Sequence, residues 1–169
     1  MLEYDFDKSV GYWVVSTGHA IRRALDEELA RAGITFRQWE VLAWIAMEGR
    51  PSQIELADRM ELEPPTLAGI LARMERDGWL RRQPCVEDRR RKRIEATAKA
   101  KAIWQRSVAC CHKVRARAIA GIDSHELAIF KRTCATIRMN LGAANEMPSV
   151  LNLVMQRDTQ ELSDNQLLS

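Results

Sequence analysis

No stretch of the 169-residue chain approaches the roughly 20 consecutive apolar residues that a membrane-spanning helix requires, so no membrane partner is expected. The opening MLEYDFDKSV is acidic and has no long apolar core, which argues against a secretory signal. Cysteine is scarce and badly spaced for chemistry. Cys85, Cys110, Cys111 and Cys134 form no CxxC pair and have no histidine at zinc-ligand spacing. Adjacent Cys110 and Cys111 point to different sides of a helix, so free thiols in a reducing cytoplasm are expected rather than a disulfide framework. GxxxxGK, HExxH and Gly-x-Ser-x-Gly are all missing. His19, His112 and His125 fall on separate predicted helices without a nucleophile or carboxylate arranged beside them, so the sequence predicts no enzyme, metal or cofactor. It contains no internal repeat and no low-complexity segment.

What is present is an uneven charge distribution. The net charge of +3 conceals a strongly basic stretch from Arg81 to Arg117, with 13 basic residues against Glu87, Asp88 and Glu95. The remainder of the chain is net acidic. Segregated positive charge creates a local field suited to a polyanion, of which nucleic acid is the commonest, although a solvated helix face can have the same composition. The hydrophobic fraction of 46% is ordinary for a folded protein. At this length it suits one domain, or a small domain sharing helices with a partner.

Apolar periodicity predicts a first helix from about Asp7 to Ala32, with Val14, Ile21, Leu25 and Leu29 at helical spacing and Gly33 as its stop. Thr35-Phe36-Arg37-Gln38 reads as a capping box opening a second helix, with Trp39, Leu42, Ile45 and Ala46 on one face. A second capping box, Ser52-Gln53-Ile54-Glu55, opens a short helix with Leu56, Ala57 and Met60 inward. After a tight turn, Pro64 and Pro65 start another helix, since prolines are tolerated where amides lack helical partners. Leu67, Ile70, Leu71 and Met74 form its inner face, and Gly78 ends it. These elements make a helix-turn-helix.

From Trp79 to Ala96 the helical period is lost. Leu80–Pro84 and Arg93–Ala96 read as two strands around an arginine-rich tip, which is a wing. Two long helices follow, with stripes at Trp104, Val108, Cys111, Val114 or Arg115 and Ala118, and then at Leu127, Phe130, Cys134, Ile137 and Leu141. The fold expected is mainly α with a small β wing. It comprises an N-terminal dimerisation helix (1–33), a winged helix-turn-helix DNA-binding domain (34–96), C-terminal dimerisation helices (97–147), and a tail (148–169) that is either a short docked helix or a loose extension.

The text SQIELADRM, LEPPTLAGILARMERDGWLRRQPC and EDRRRKRIEAT resembles the MarR family, and more narrowly its SlyA-like branch. The resemblance covers roughly residues 8–145, and its most specific part is the run from the helix-turn-helix into DRRRKR. It implies a cytoplasmic transcription regulator, by family tendency a repressor, acting as a homodimer on a pseudo-palindromic duplex operator. The helix opening at Pro64 would enter the major groove, with Ser52, Gln53, Pro65, Thr66 and Arg73 near DNA. Thr66 offers a hydroxyl and a methyl, or serves only as a helix cap. Arg73 reaches phosphate or base, or remains solvated or paired. SlyA-like relatives often carry an arginine where this chain has Gly69, which leaves the bases read here open. In the wing, Arg89, Arg90, Arg91 and Arg93 would meet the minor groove and phosphates. Arg90 is the expected minor-groove residue, and Asp88 would position a neighbouring arginine.

Relatives of this kind often release DNA when an aromatic carboxylate or phenol enters a crevice. The matching neighbourhood is His19, Arg22, Arg23, Gln38, Trp39 and Ile70, where an arginine or histidine beside Trp39 would hold a carboxylate. Trp39 as plain core and His19 as an exposed helix residue are the competing readings. An effector-controlled regulator also has two rivals in function. One is a redox-responsive regulator using a cysteine such as Cys85, and the other is a winged-helix module for protein or RNA contact.

Overall fold

The computed structural model describes residues 5–84 and 92–143. Among the described residues, six helices and one pair of strands follow in the order α1 (Val10–Arg31), α2 (Phe36–Glu48), α3 (Gln53–Arg59), α4 (Pro64–Arg76), β1 (Leu80–Pro84), β2 (Lys92–Ala96), α5 (Ala98–Ala118) and α6 (Ser124–Asn140). The strands are antiparallel, with Leu80 opposite Ala96 and Pro84 opposite Lys92. This is the winged helix-turn-helix architecture expected. No helix among the described residues is long and apolar enough to cross a membrane.

Local chemistry sets most of the boundaries. Ser9 caps α1 by accepting the Tyr12 amide at 3.3 Å, so the helix begins at Val10 rather than near Asp7. Capping boxes open α2 at Thr35 and α3 at Ser52, and a third opens α6 at Asp123, where Glu126 answers the cap. Gly33 and Gly78 adopt φ of +83° and +75° just beyond α1 and α4, a conformation that costs a residue with a Cβ. Thr97 closes the hairpin base, its hydroxyl donating to the Gly78 carbonyl at 2.6 Å and its amide to the Trp79 carbonyl at 2.9 Å.

Helix α2 is the centre of the core. It packs against α1, α4, α5 and β2, so it buries Phe36, Trp39, Val41, Leu42, Ala43, Trp44 and Ile45. The one-face stripe read from the sequence is therefore too narrow. Ala46, expected inward, is exposed, while Val41 and Trp44 lie inside. The inner faces of α3 and α4 are as expected: Leu56, Ala57 and Met60 on one side, and Leu67, Ile70, Leu71 and Met74 on the other. The turn between them places Glu61 at φ +51°, a left-handed conformation that a non-glycine residue adopts at a cost.

The long helices behave differently. Helix α5 turns Ala100, Ile103, Ser107, Cys111 and Val114 toward α1 and α2. The expected stripe shares only Cys111 and Val114 with this face. Trp104, Val108 and Arg115 are half-buried along its edge, and Ala118 is exposed. The two stripes are adjacent on the helix, and only one faces this chain's core. Helix α6 buries no residue at all: Leu127, Cys134 and Ile137 are half-buried, and Phe130 and Leu141 are exposed.

Helices α1 and α5 are joined by a charge cluster with no counterpart in the sequence reading. The Glu28 carboxylate, almost entirely shielded, accepts from Arg31 at 2.7 Å and from the Lys113 ammonium at 2.9 Å. The Lys113 hydrogen bond pulls the Glu28 pKa below its ordinary value against the opposing effect of burial, with Lys113, Arg31 and Arg117 adding through their charges. Cys110 reaches the Glu28 carbonyl at 3.5 Å, and its thiol pKa is raised, first by burial and then by the Glu28 carboxylate.

Candidate nucleic-acid interface

Helix α4 presents an open N-terminal end. Glu63 occupies the cap position without a side-chain cap bond, and Pro64 and Pro65 bring no amide hydrogens, so Thr66 supplies the first N–H of the helix. Thr66 lies two residues beyond the helix start and does not act as the cap. Among the described residues its hydroxyl has no hydrogen-bond partner. Pro65, Thr66 and Arg73 are all exposed. Arg73 lies four residues after Gly69 and forms no ion pair among the described residues. Its Nη1 lies 3.9 Å from the point that a Cβ on Gly69 would occupy.

Ser52 and Arg93, also expected at the interface, have prior commitments. The Ser52 hydroxyl accepts the Glu55 amide at 3.3 Å and its own amide donates to Glu55 Oε2, so the residue is buried as the α3 cap. Gln53, the first residue of α3, is half-buried. The Arg93 guanidinium donates to Glu55 Oε2 at 3.0 Å and to the Arg50 carbonyl at 3.2 Å, and Arg93 bridges Ser52 through the backbone. Asp88, Arg89, Arg90, Arg91 and Cys85 lie outside the described residues, as does the tail 148–169.

The sequence reading missed how the hairpin stem is held. Buried Glu95 on β2 pairs with Arg50 at 2.6 Å on one carboxylate oxygen and with Arg81 at 2.7 Å on the other. The Ile94 amide donates to the Pro51 carbonyl at 2.9 Å. The stem of the hairpin is therefore fastened to the loop that leads into α3. Once the strands are in register, Arg81 faces Glu95 directly, so that cross-strand pair was readable in principle. The Arg50 partner was not. These contacts also temper the basic stretch, because Arg81, Arg82, Arg93 and Lys113 pair with Glu95, Glu75, Glu55 and Glu28.

The six residues expected around an effector do not converge as one set. The Arg22 guanidinium lies 3.5 Å over the Phe36 ring and 3.8 Å from Asp26. Phe36 in turn leans on Trp39, with ring centroids 5.1 Å apart. Trp39 is fully buried with its indole Nε1 unpartnered, and Ile70 is core. Gln38 is occupied by the Thr35 capping box, its Oε1 accepting from the Thr35 amide and hydroxyl. His19 is exposed, and so is Arg23, which pairs with Glu27 at 3.4 Å. The arrangement thus brings Arg22, Phe36 and Trp39 together; Phe36 had no place in the expected set.

A helix-turn-helix with a braced hairpin set between long flanking helices defines a winged helix-turn-helix protein. The MarR family model matches residues 34–92. The chain is 35% identical to the transcriptional regulator PA3341, whose crystal structure superposes with a TM-score of 0.68 over 79% of this chain and 98% of that one. It is also similar in fold to a MarR variant from E. coli complexed with operator DNA, at 20% identity and a TM-score of 0.68 over 80% and 99% of the two chains. CouR from Rhodococcus jostii RHA1 bound to p-coumaroyl-CoA matches at 20% identity and a TM-score of 0.66, over 86% and 99%. The chain belongs to the MarR family of transcriptional regulators. That is a family of regulators rather than enzymes.

Proposed function

We propose that this regulator binds duplex DNA sequence-specifically as a homodimer on a pseudo-palindromic operator and represses transcription there. One observation carries the reading: the N-terminal end of α4 is open, with Thr66 in its first turn and Arg73 in its last turn both without a side-chain hydrogen-bond or ion-pair partner among the described residues, beside a hairpin fastened to the same helix-turn-helix. Residues 34–96 serve as the DNA-binding domain. Thr66, Pro65, Gln53 and Arg73 approach the major groove, while Arg90 approaches the minor groove, Arg89 and Arg91 meet the groove or its phosphates, and Asp88 holds a neighbouring arginine. Ser52 and Arg93 contribute by fixing α3 and the hairpin stem. The wing text EDRRRKRIEAT supports placement in the SlyA-like branch.

Residues 1–33 and 97–147 serve as the dimerisation region. Large apolar side chains are exposed along the N-terminal half of α1, at Val10, Tyr12, Trp13, Val14 and Val15, and on and beside α6, at Ile122, Ile129, Phe130, Met139 and Leu141. A surface of this kind is costly to leave in water and suits a second copy of the chain. For the effector, a small aromatic carboxylate or phenol fits best. The Arg22 guanidinium stacked on Phe36 beside Trp39 supplies a cation and an aromatic wall, and CouR, similar in fold, is bound to p-coumaroyl-CoA in its crystal structure.

Titration of a palindromic duplex selected from a random pool, at several salt concentrations, tests the reading. Steep salt dependence with duplex DNA and none of comparable strength with single-stranded RNA is expected. Arg90→Ala should weaken duplex binding by about 1–3 kcal/mol with the fold unchanged. Unaltered binding by that variant would remove the wing from the mechanism.

A further inference from the structure

The face of α4 turned away from the core carries Pro65, Thr66, Gly69, Ala72 and Arg73. Gly69 is conspicuous there, because a glycine inside a helix weakens it relative to alanine. The fold gives no reason for it. Its φ is not positive, and beyond the helix's own backbone the only described atom that a Cβ would meet within 4 Å is Nη1 of Arg73, at 3.9 Å. Long side chains on a helix lean toward its N-terminus and cover the surface one turn back. Arg73 does so, and its guanidinium lies over the bare backbone at position 69. Nearby arginines are engaged: Arg76 with Asp77, Arg82 with Glu75 and Arg59 with Glu48. Arg73 has no such partner among the described residues.

We infer that Arg73, folded back over Gly69, reads a guanine in the major groove, and that Gly69 sets this specificity by leaving the path clear. A guanidinium has donors only, arranged as a planar fork, and guanine presents the O6 and N7 acceptors that match it. Folding back moves the fork about one helical turn toward the open end of α4, onto the level that a base edge can reach. The inference rests on the DNA-binding reading above and names the base-reading residue within it.

The full-length chain and its Arg73→Lys, Arg73→Ala and Gly69→Leu variants are used to select duplexes from a pool with a randomised centre, and binding is then titrated against salt. Arg73→Lys keeps the charge but loses the fork, so it should lose the preference for guanine at one position per half-site by roughly tenfold to a hundredfold. Gly69→Leu should raise the melting temperature of the free protein while losing preference at the same base pair. Two results overturn the inference: an Arg73→Lys variant that keeps the wild-type preference while Arg73→Ala weakens all duplexes alike and lowers the salt slope, as a phosphate contact would, or a Gly69→Leu variant that selects the wild-type sequence. A wild-type chain that enriches no duplex overturns the DNA-binding reading itself and is distinguishable from both.

Discussion

The winged region and the helical flanks differ in how much of their apolar surface is covered among the described residues. Between Ile34 and Ile94, nearly every large apolar side chain of α2, α4 and β2 is buried in one contiguous cluster. The outer half of α1 and all of α6 leave Trp13, Val15, Ile129 and Phe130 at least 39% exposed. The apolar side chains of α6 and of the outer half of α1 are left uncovered among the described residues, whereas those of the winged region are covered, in part by Leu25 and Leu29 of α1 and Ile103 of α5. The contrast teaches that periodicity alone reports amphipathicity and not whose surface covers it.

The largest effect should come from attacking the covered side. Trp39→Ala removes a fully buried indole from the centre of the cluster and should cost about 3–5 kcal/mol, read from the denaturant midpoint. If it costs under about 1 kcal/mol, the core is not where the contrast places it. On the uncovered side, Phe130→Asp touches no core residue, so the monomer should keep its helical content. The proposed dimer should dissociate at least tenfold more readily, as an interface anchor of roughly 2 kcal/mol requires, and light scattering across a dilution series would register the shift. Equal dimer content in the variant and the parent would mean that α6 pairs with nothing.

The Glu28 cluster lies within the helical flanks, between α1 and α5, and pH probes it. Its carboxylate has a pKa below the ordinary value in the folded chain, so the unfolded chain binds the proton first. The contribution to stability is then complete above the ordinary carboxylate pKa, and it disappears as pH falls through the lower folded value. Acid titration of thermal stability should show this loss in the parent and a flatter profile in Glu28→Gln. A parent and variant with parallel profiles would detach the cluster from stability. The smallest effect concerns Cys110, whose pKa is raised. With fewer thiolates at neutral pH it should alkylate more slowly than a free thiol. Mass spectrometry after a timed pulse of iodoacetamide would show it, and labelling at the rate of a model thiol would contradict the burial described.

Much of the winged region was legible because its signals are local. Capping boxes at Thr35 and Ser52, the proline start at Pro64 and the glycine stops at Gly33 and Gly78 each act within a few residues. The burial of α2 on nearly all sides was not, because four different elements surround it and no single stripe records that. On α5 the sequence offers two neighbouring apolar lines, and only the packing of α1 chooses between them. The pairing of Glu28 with Lys113 spans 85 positions, and nothing at either residue announces it. At the interface, residue types were readable but their commitments were not. Ser52 and Gln38 each carried two readings, as members of capping boxes and as groups near DNA or an effector, and the structure engages both in the caps.

Glu95 holds Arg50 and Arg81 at once, and Arg93 holds Glu55, so the hairpin stem and the start of α3 cannot swing independently. Mechanically the pair behaves as one stiff piece: a push on the start of α3 is passed to both strands at once, through Glu55 to Arg93 on β2 and through Arg50 to the Glu95 carboxylate that also grips Arg81 on β1.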